Sequence, residues 1–293
     1  MARVICGKKI ASDVKARVAE RVKELSTQNI TPGLGVVLVG EDPASKVYVG
    51  MKEKACKAVG LFTETNRLSA DASQDDVMAA VKAYNENPAI HGILVQLPLP
   101  GDLQERPVIE AIDPRKDVDG LTPVSMGNLL AGSQGFVPCT PAGVMEILAS
   151  ENVETEGKHV VVVGRSNLVG KPISVLLARK AASGNSTVTM CHSRTPDLGS
   201  YTRRADILIV AVGYPECVNG DMVKEGAVVI DVGINRVDNP GGEKPYKLVG
   251  DVQFESAEKV ASAITPVPGG VGPLTIACLL QNTMTAAERI HGA

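Results

Sequence analysis

Tyr48 and Lys52, four residues apart in the segment SKVYVGMKEKACKAV at 45–59, are the first residues whose types and spacing suggest chemistry. A helix over 45–59 brings their side chains together, because positions i and i+4 share a face. At 100° per residue, Val47, Tyr48, Met51, Ala55, Ala58 and Val59 fall on one arc, which predicts the buried side and leaves Lys52 at its edge. A lysine flanking apolar surface is desolvated, its pKa falls, and it becomes fit for general acid/base work. The same geometry also suits a lysine whose stem is covered and whose charge stays in water. Two further segments supply polar partners. GILVQLPLP at 92–100 puts the Gln96 amide between a buried strand and a rigid proline turn, and KDVDG at 116–120 places carboxylates in a turn. Local reading leaves open whether Gln96 is a satisfied strand-end amide and whether Asp119 is a turn-forming acid. Ligands in open α/β sheets bind beyond the carboxyl ends of the strands, where Gln96 is expected.

A second site is suggested by VVVVGRSNLVG at 160–170, which reads as a strand, a tight turn and a helix start. Such a turn points backbone N–H groups and the positive helix end at a pyrophosphate. The spacing is not G-x-G-x-x-G: Gly164 and Gly170 remain, with Ser166 between them, so an unliganded glycine turn is the alternative. The next strand ends in CHSRT at 191–195, with no acid before Asp197. NAD sites usually carry an Asp or Glu there for the ribose 2′-hydroxyl. Ser193 and Arg194, with Arg165 in the first turn, suit a 2′-phosphate instead, so NADP is expected over NAD. His192 reads as a strand-end histidine packed by its neighbours rather than as a catalytic group.

Positioning these residues takes two domains, the number that 293 residues predict at roughly 100–200 residues per domain. A 44% hydrophobic fraction with 22% charged residues fits a globular chain and excludes disorder and fibrous repeats. Net charge −3 argues against a partner held by phosphate-backbone charge, and three Phe, five Tyr and no Trp leave little for stacking on single-stranded nucleic acid. Six scattered cysteines without a Cys-x-x-Cys pair, and four dispersed histidines, predict reduced thiols and no metal site. No apolar run approaches a membrane span and the first residues lack a secretory pattern, so a cytoplasmic protein is expected.

Along the chain, apolar residues from Ile10 to Leu25 recur at helical steps, a continuous apolar run at 35–40 predicts a buried strand, and helices are expected near 45–59 and 73–85 before a strand at 91–96. A Gly/Pro-rich stretch at 132–141 reads as a junction, with Thr140 as N-cap and Pro141 in the first turn of a helix. Strand-like runs follow at 159–164, 187–191, 206–212 and 227–233, then a final helix from about 274 to 289. Strands alternating with helices give an α/β fold, the second half a doubly wound parallel sheet.

Taken in order, YVGMK at 48–52, GILVQLPLP at 92–100, KDVDG at 116–120, GRSNLVGKP at 164–172, DVGIN at 231–235 and TPVPGGVGP at 265–273 resemble the bifunctional methylenetetrahydrofolate dehydrogenase/methenyltetrahydrofolate cyclohydrolase family. The resemblance spans essentially the whole chain. It implies two α/β domains flanking a cleft: a folate-binding catalytic domain at 1–140, completed by a helix at 274–293, and a Rossmann-like NADP domain at 141–265. It implies NADP-dependent oxidation of 5,10-methylenetetrahydrofolate, hydrolysis of the methenyl product to 10-formyltetrahydrofolate, and a homodimer formed through the nucleotide domains. By matching position, Tyr48, Lys52, Gln96 and Asp119 become catalytic, with Lys52 the acid/base, Gln96 tuning it and Asp119 bonding the pterin. Val95, Leu97, Pro268, Gly269 and Gly270 join them around the folate, while Gly164, Arg165, Ser166, Ser193 and Ile234, with Arg194, hold NADP. The alternatives are an NADP-dependent dehydrogenase of another small substrate and a non-catalytic NADP-binding module.

The strand-end reading makes a prediction of its own. Ser193→Asp places a carboxylate where the 2′-phosphate is expected and should raise the KM for NADP about tenfold or more, the scale of a lost charge-assisted hydrogen bond, while sparing that for NAD. Steady-state kinetics with both cofactors check it, and equal use of NADP and NAD by the unaltered protein would contradict it.

Overall fold

A computed structural model describes residues 1–241 and 245–293. In chain order its strands and helices are β1 (Arg3–Val4), α1 (Gly7–Thr27), β2 (Gly33–Val39), α2 (Pro43–Val59), β3 (Phe62–Leu68), α3 (Gln74–Glu86), β4 (Gly92–Val95), α4 (Glu105–Glu110), α5 (Pro123–Ala131), α6 (Cys139–Ser150), β5 (His159–Val163), α7 (Gly170–Ala178), β6 (Thr187–Cys191), α8 (Leu198–Thr202), β7 (Ile207–Val210), β8 (Val228–Asp231), β9 (Asn235–Asp238), β10 (Tyr246–Val249), α9 (Phe254–Ala257), β11 (Ala263–Ile264) and α10 (Gly272–His291). The chain divides into two compact units: Ser12–Cys139 with Ile276–Ala293, and Met1–Ala11 with Thr140–Thr275.

The first of these is built on a parallel sheet of order β3-β2-β4. Every residue of β2 and β4 is buried, as their continuous apolar sequences require. Val77, Val81 and Tyr84 of α3 pack with Val37, Val39, Ile93 and Val95 in one core. The edge strand β3, FTETNRL, carries no apolar run, which is why its sequence gave no signal: it is held by pairing along the whole of β2. Capping explains where the helices begin. Asp42 accepts from the Ser45 N–H ahead of Pro43 in α2, and Ser73 with Asp76 forms a reciprocal capping box on α3.

The helix carrying Lys52 corrects the arc drawn from its sequence. Val47, Tyr48 and Met51 are 62%, 43% and 49% exposed, and the buried residues are Ser45, Val49, Ala55, Cys56 and Val59. The inward face is rotated by roughly a quarter turn from the expected one. Apolar residues occupy two arcs of α2, and the face with Val49, Ala55, Cys56 and Val59 is the one buried; periodicity alone does not choose between them. Lys52 therefore stands within the inward stripe, between Val49, Cys56 and Val59, rather than at its edge.

The second unit is a parallel sheet of order β1-β11-β8-β7-β5-β6, with Val161, Val163, Leu208, Val210, Val229 and Ile264 in its core. This is the expected doubly wound arrangement. The two-residue strands β1 and β11 were too short to show as sequence runs, and the antiparallel pair β9–β10 lies outside the main sheet. One cap differs from expectation: α6 begins at Cys139, so Thr140 lies inside its first turn, where its hydroxyl pairs with that of Thr275. All six cysteines are free, and no helix among the described residues is long and apolar enough to cross a membrane.

Two buried basic side chains, Lys116 and His91, fasten the Lys52 unit. Lys116 Nζ donates to the carbonyls of Tyr84, Asn85 and Asn87 at 2.9–3.0 Å, completing the end of α3. His91 Nδ1 accepts the Gly33 N–H at 3.1 Å, which leaves the proton on Nε2, donated to His291 Nε2 of α10 at 3.0 Å. Burial first, then His291 and Lys116, lowers the His91 pKa to about 4. A depressed histidine contributes stability that is whole above its unfolded pKa of about 6.5 and is lost as pH falls towards 4. The unfolding free energy should therefore drop between pH 6.5 and 4 by up to about 3 kcal/mol more in the natural protein than in His91→Asn, which keeps an acceptor for Gly33 but does not titrate. Parallel pH profiles of the two proteins would refute this.

Candidate active site

Lys52 Nζ donates to Gln96 Oε1 at 3.0 Å, so helix α2 and the end of β4 meet at this contact. Gln96 is held from two sides: its backbone N–H donates to Val37 O of β2 at 2.9 Å, and its Nε2 to Leu97 O at 2.8 Å. With its amide nitrogen turned to Leu97, only the carbonyl oxygen faces the ammonium. The Lys52 pKa is lowered by burial, opposed by the nearby Asp119 carboxylate. Burial in turn raises the Asp119 pKa, opposed chiefly by Lys52. Gln96 adds no charge to this balance, so it fixes the ammonium without restoring its basicity.

The two carboxylates of the 116–120 turn separate in role. Asp117 is buried and accepts the Leu121 and Thr122 N–H groups at 3.0 and 2.8 Å and the Ser125 hydroxyl at 2.6 Å, tying the turn to the start of α5. It is the turn-forming acid. Asp119 is free of that duty and faces Lys52 and the thiol of Cys139, which donates to the Val118 carbonyl at 3.4 Å. Cys139 and Asn282 are site residues that sequence reading missed. Asn282 of α10 donates to the carbonyls of Val118 and Val137 at 2.8 and 3.1 Å, holding both sides of the Asp119 turn. Nothing in the spacing of residues 119, 139 and 282 signals this; only the packing of α10 brings them together. Tyr48 lies one turn before Lys52 and is exposed, Val95 is buried, and Leu97 is half-buried beside Gln96.

The other unit carries the nucleotide candidates. The turn after β5 brings two backbones into contact: a Cβ on Gly164 would lie 2.3 Å from Ala211 O, and one on Gly170 2.2 Å from Gly164 O. The Ser166 hydroxyl accepts the Val169 N–H at 3.1 Å at the entrance to α7. A close-packed glycine turn opening a helix is a cradle of the kind a pyrophosphate requires. Arg165 and Ser166 are exposed, as are Ser193 and Arg194 at the end of β6. His192 Nδ1 accepts the Arg194 N–H at 3.1 Å, so this histidine shapes the turn. Ile234, 45% exposed, follows β8. Pro268, Gly269 and Gly270 lie between β11 and α10, Gly270 so close to Gly7 that a Cβ there would be 1.8 Å from Gly270 O. Among the described residues no His/Cys/Asp/Glu group is placed to hold a metal ion.

Comparison with known proteins agrees with both halves. Residues 5–119 match the family described as tetrahydrofolate dehydrogenase/cyclohydrolase, catalytic domain, and residues 138–291 its NAD(P)-binding domain. The bifunctional protein FolD of Moorella thermoacetica is 57% identical over 98% of this chain and 99% of its own. The crystal structure of FolD from Campylobacter jejuni superposes with a TM-score of 0.93 at 43% identity, covering 99% of this chain and all of the other. The Trypanosoma brucei enzyme, solved with NADP cofactor and inhibitor, gives a TM-score of 0.93 at 41% identity over 100% of this chain and 99% of that one.

The division of labour between the two carboxylates is testable on stability alone. Asp117→Ala strands two backbone donors and a hydroxyl and should cost about 2–4 kcal/mol in denaturant unfolding. Asp119→Ala removes a desolvated charge with no such duty and should change stability by less than about 1 kcal/mol. Equal costs would mean that both acids serve the turn.

Proposed function

The chain belongs to the tetrahydrofolate dehydrogenase/cyclohydrolase family, and we propose on that footing that it oxidises 5,10-methylenetetrahydrofolate with NADP and hydrolyses the methenyl product to 10-formyltetrahydrofolate. Folate is assigned to the unit holding Lys52 and NADP to the unit holding β5–β8; the separate catalytic and NAD(P)-binding matches support that division. The observation that carries the reading is the Lys52–Gln96 contact, an ammonium whose pKa is lowered by burial and whose partner is uncharged.

When bound, NADP supplies the acceptor for a hydride from the one-carbon bridge. The chain's part in that step is alignment. The glycine turn and the N-terminus of α7 take the pyrophosphate, Arg165, Ser193 and Arg194 take the 2′-phosphate, and Ile234 borders the nicotinamide end. Tyr48, Val95, Leu97 and Asp119 are assigned to the folate, with Asp119 bonding the pterin. Hydrolysis asks more of the chain. Water adds to the methenyl carbon and releases one proton; as the bond from that carbon to N5 breaks, N5 takes a proton up and the added hydroxyl gives its own to solvent, leaving the formyl C=O and one proton released net. Lys52 as the neutral amine accepts the first proton and returns one to N5, with Gln96 holding Nζ in place. The lowered pKa raises the amine fraction, so hydrolysis should gain as pH rises through it.

We read the enzyme as a cytoplasmic homodimer acting on tetrahydrofolate derivatives, without nucleic-acid or membrane partners. The dimer rests on the family resemblance. Net charge −3 supports the absence of a nucleic-acid partner, and the six free cysteines are in keeping with a reducing compartment.

The reading is tested by spectrophotometric assay of both reactions on one preparation, with the natural protein and Lys52→Met. The substitution keeps stem length and packing but removes the ammonium. Hydrolysis should fall at least ~100-fold, the usual scale for losing a general acid/base, while oxidation persists at a reduced level and methenyltetrahydrofolate accumulates. Equal loss of both activities would make Lys52 a substrate-positioning group, and retained hydrolysis would remove it from the chemistry.

A further inference from the structure

Two buried carboxylates in the nucleotide unit, Asp231 and Asp251, are not used by any step above. Asp231 ends β8, in register with Val210 at the end of the neighbouring parallel strand β7, and Asp251 follows the antiparallel strand β10. Asp251 is completely buried. Its Oδ2 accepts the N–H groups of Val212 and Gly213 at 2.7 and 2.9 Å, and its Oδ1 accepts from Asn235 Nδ2 at 2.8 Å. Asp231 completes the arrangement by accepting the N–H groups of Gly233, Asp251 and Val252 at 2.9, 3.0 and 2.9 Å. The fit is tight enough to require glycine: a Cβ on Gly233 would lie 2.2 Å from Asp251 Oδ1, and one on Gly250 1.8 Å from Asp231 Oδ2. Thus one side chain, Asp251, bonds both the loop after β7 and Asn235, the first residue of β9, where the loop after β8 ends. The side chains these loops present outward are apolar: Val212, Tyr214 and Ile234 are 38%, 67% and 45% exposed.

Sheet order says which end of a dinucleotide this region faces. The pyrophosphate cradle follows β5, and β6, with Ser193 and Arg194, lies on one side of β5 while β7 and β8 lie on the other. Since the strand after the cradle serves the adenosine ribose, the nicotinamide half falls towards the ends of β7 and β8. We propose that Asp251 is a positioning residue for the nicotinamide: by holding Val212, Gly213 and Asn235 from one buried carboxylate, it sets the spacing of the two loops that border the ring. This inference rests on the NADP reading above.

The test separates the two halves of the cofactor by calorimetric titration of Asp251→Ala with NADP and with adenosine 2′,5′-bisphosphate, which lacks the nicotinamide. Affinity for NADP should fall at least about tenfold, the scale of a lost hydrogen bond to an ionised acceptor, while the bisphosphate binds as it does to the natural protein. Asp251→Asn keeps one acceptor oxygen for the two backbone donors and should recover most of the NADP affinity. Hydrolysis of methenyltetrahydrofolate, which depends on Lys52 in the other unit, should stay within about twofold in the absence of NADP. Equal loss of both ligands in Asp251→Ala, or unchanged NADP affinity, overturns the proposal. Should that variant fail to fold, Asn235→Ala decides: a selective loss of NADP affinity sustains the proposal, and no selective loss overturns it. Failure of the natural protein to bind either ligand would instead sink the NADP reading itself.

Discussion

An ammonium taken out of water and given a neutral partner is the constraint around which the Lys52 unit is organised. Burial alone would drive Lys52 to lose its proton, and a carboxylate at hydrogen-bond distance would fix the proton on it. Gln96 does neither: at 3.0 Å it satisfies the donor without contributing charge. Asp119 supplies the opposing influence from its own turn, where burial raises its own pKa. The site is thus a balance between desolvation and attractions led by Asp119, and small displacements of Asp119 would shift it. That explains why so much of the surrounding structure is devoted to holding the 116–120 turn: Asp117 fixes it to α5, Lys116 to α3, and Asn282 to α10.

The nucleotide unit solves a different problem with different means. Binding a dinucleotide along strand ends requires backbone surfaces at fixed separations more than it requires tuned side chains. Glycines supply the close approaches, at Gly164 and Gly170 in the cradle and at Gly233 and Gly250 beside the buried acids. Carboxylates appear here as acceptors for backbone N–H groups. At Asp231 burial outweighs three such donors and pushes the carboxyl up to about 7. The same residue type serves as electrostatic partner in one unit and as a loop fastener in the other, and only the surroundings decide.

What the sequence made legible follows from the physics of each element. Strands buried on both faces, β2, β4, β5, β7 and β8, announce themselves as continuous apolar runs. The edge strand β3 and the two-residue β1 and β11 depend on partners distant in sequence and leave no such run. Motifs located Lys52, Gln96 and Asp119, yet helix periodicity misjudged which arc of α2 turns inward, because that helix is apolar on two arcs and the choice is made by the sheet it covers. Which of two neighbouring acids shapes the turn was equally undecidable from KDVDG; it depends on whether Leu121, Thr122 and Ser125 find their acceptor in Asp117.

The last helix shows why the Lys52 unit cannot be a continuous stretch of chain. Ending at Cys139, it would leave the carbonyls of Val118 and Val137 without the Asn282 amide, His91 Nε2 without the His291 ring, and Arg21 without Glu288. Thr283 also packs against Gly92, at the start of the strand that ends one residue before Gln96. The first two of these contacts bear on elements that carry site residues, the Asp119 turn and β4, and the third ties α10 to α1, whose Leu25 packs with Ile30 and Ala287. Buried polar groups left without partners are costly. The return of the chain after the nucleotide unit is therefore a structural requirement of the Lys52 site, and residues far apart in sequence are bound to one function by it.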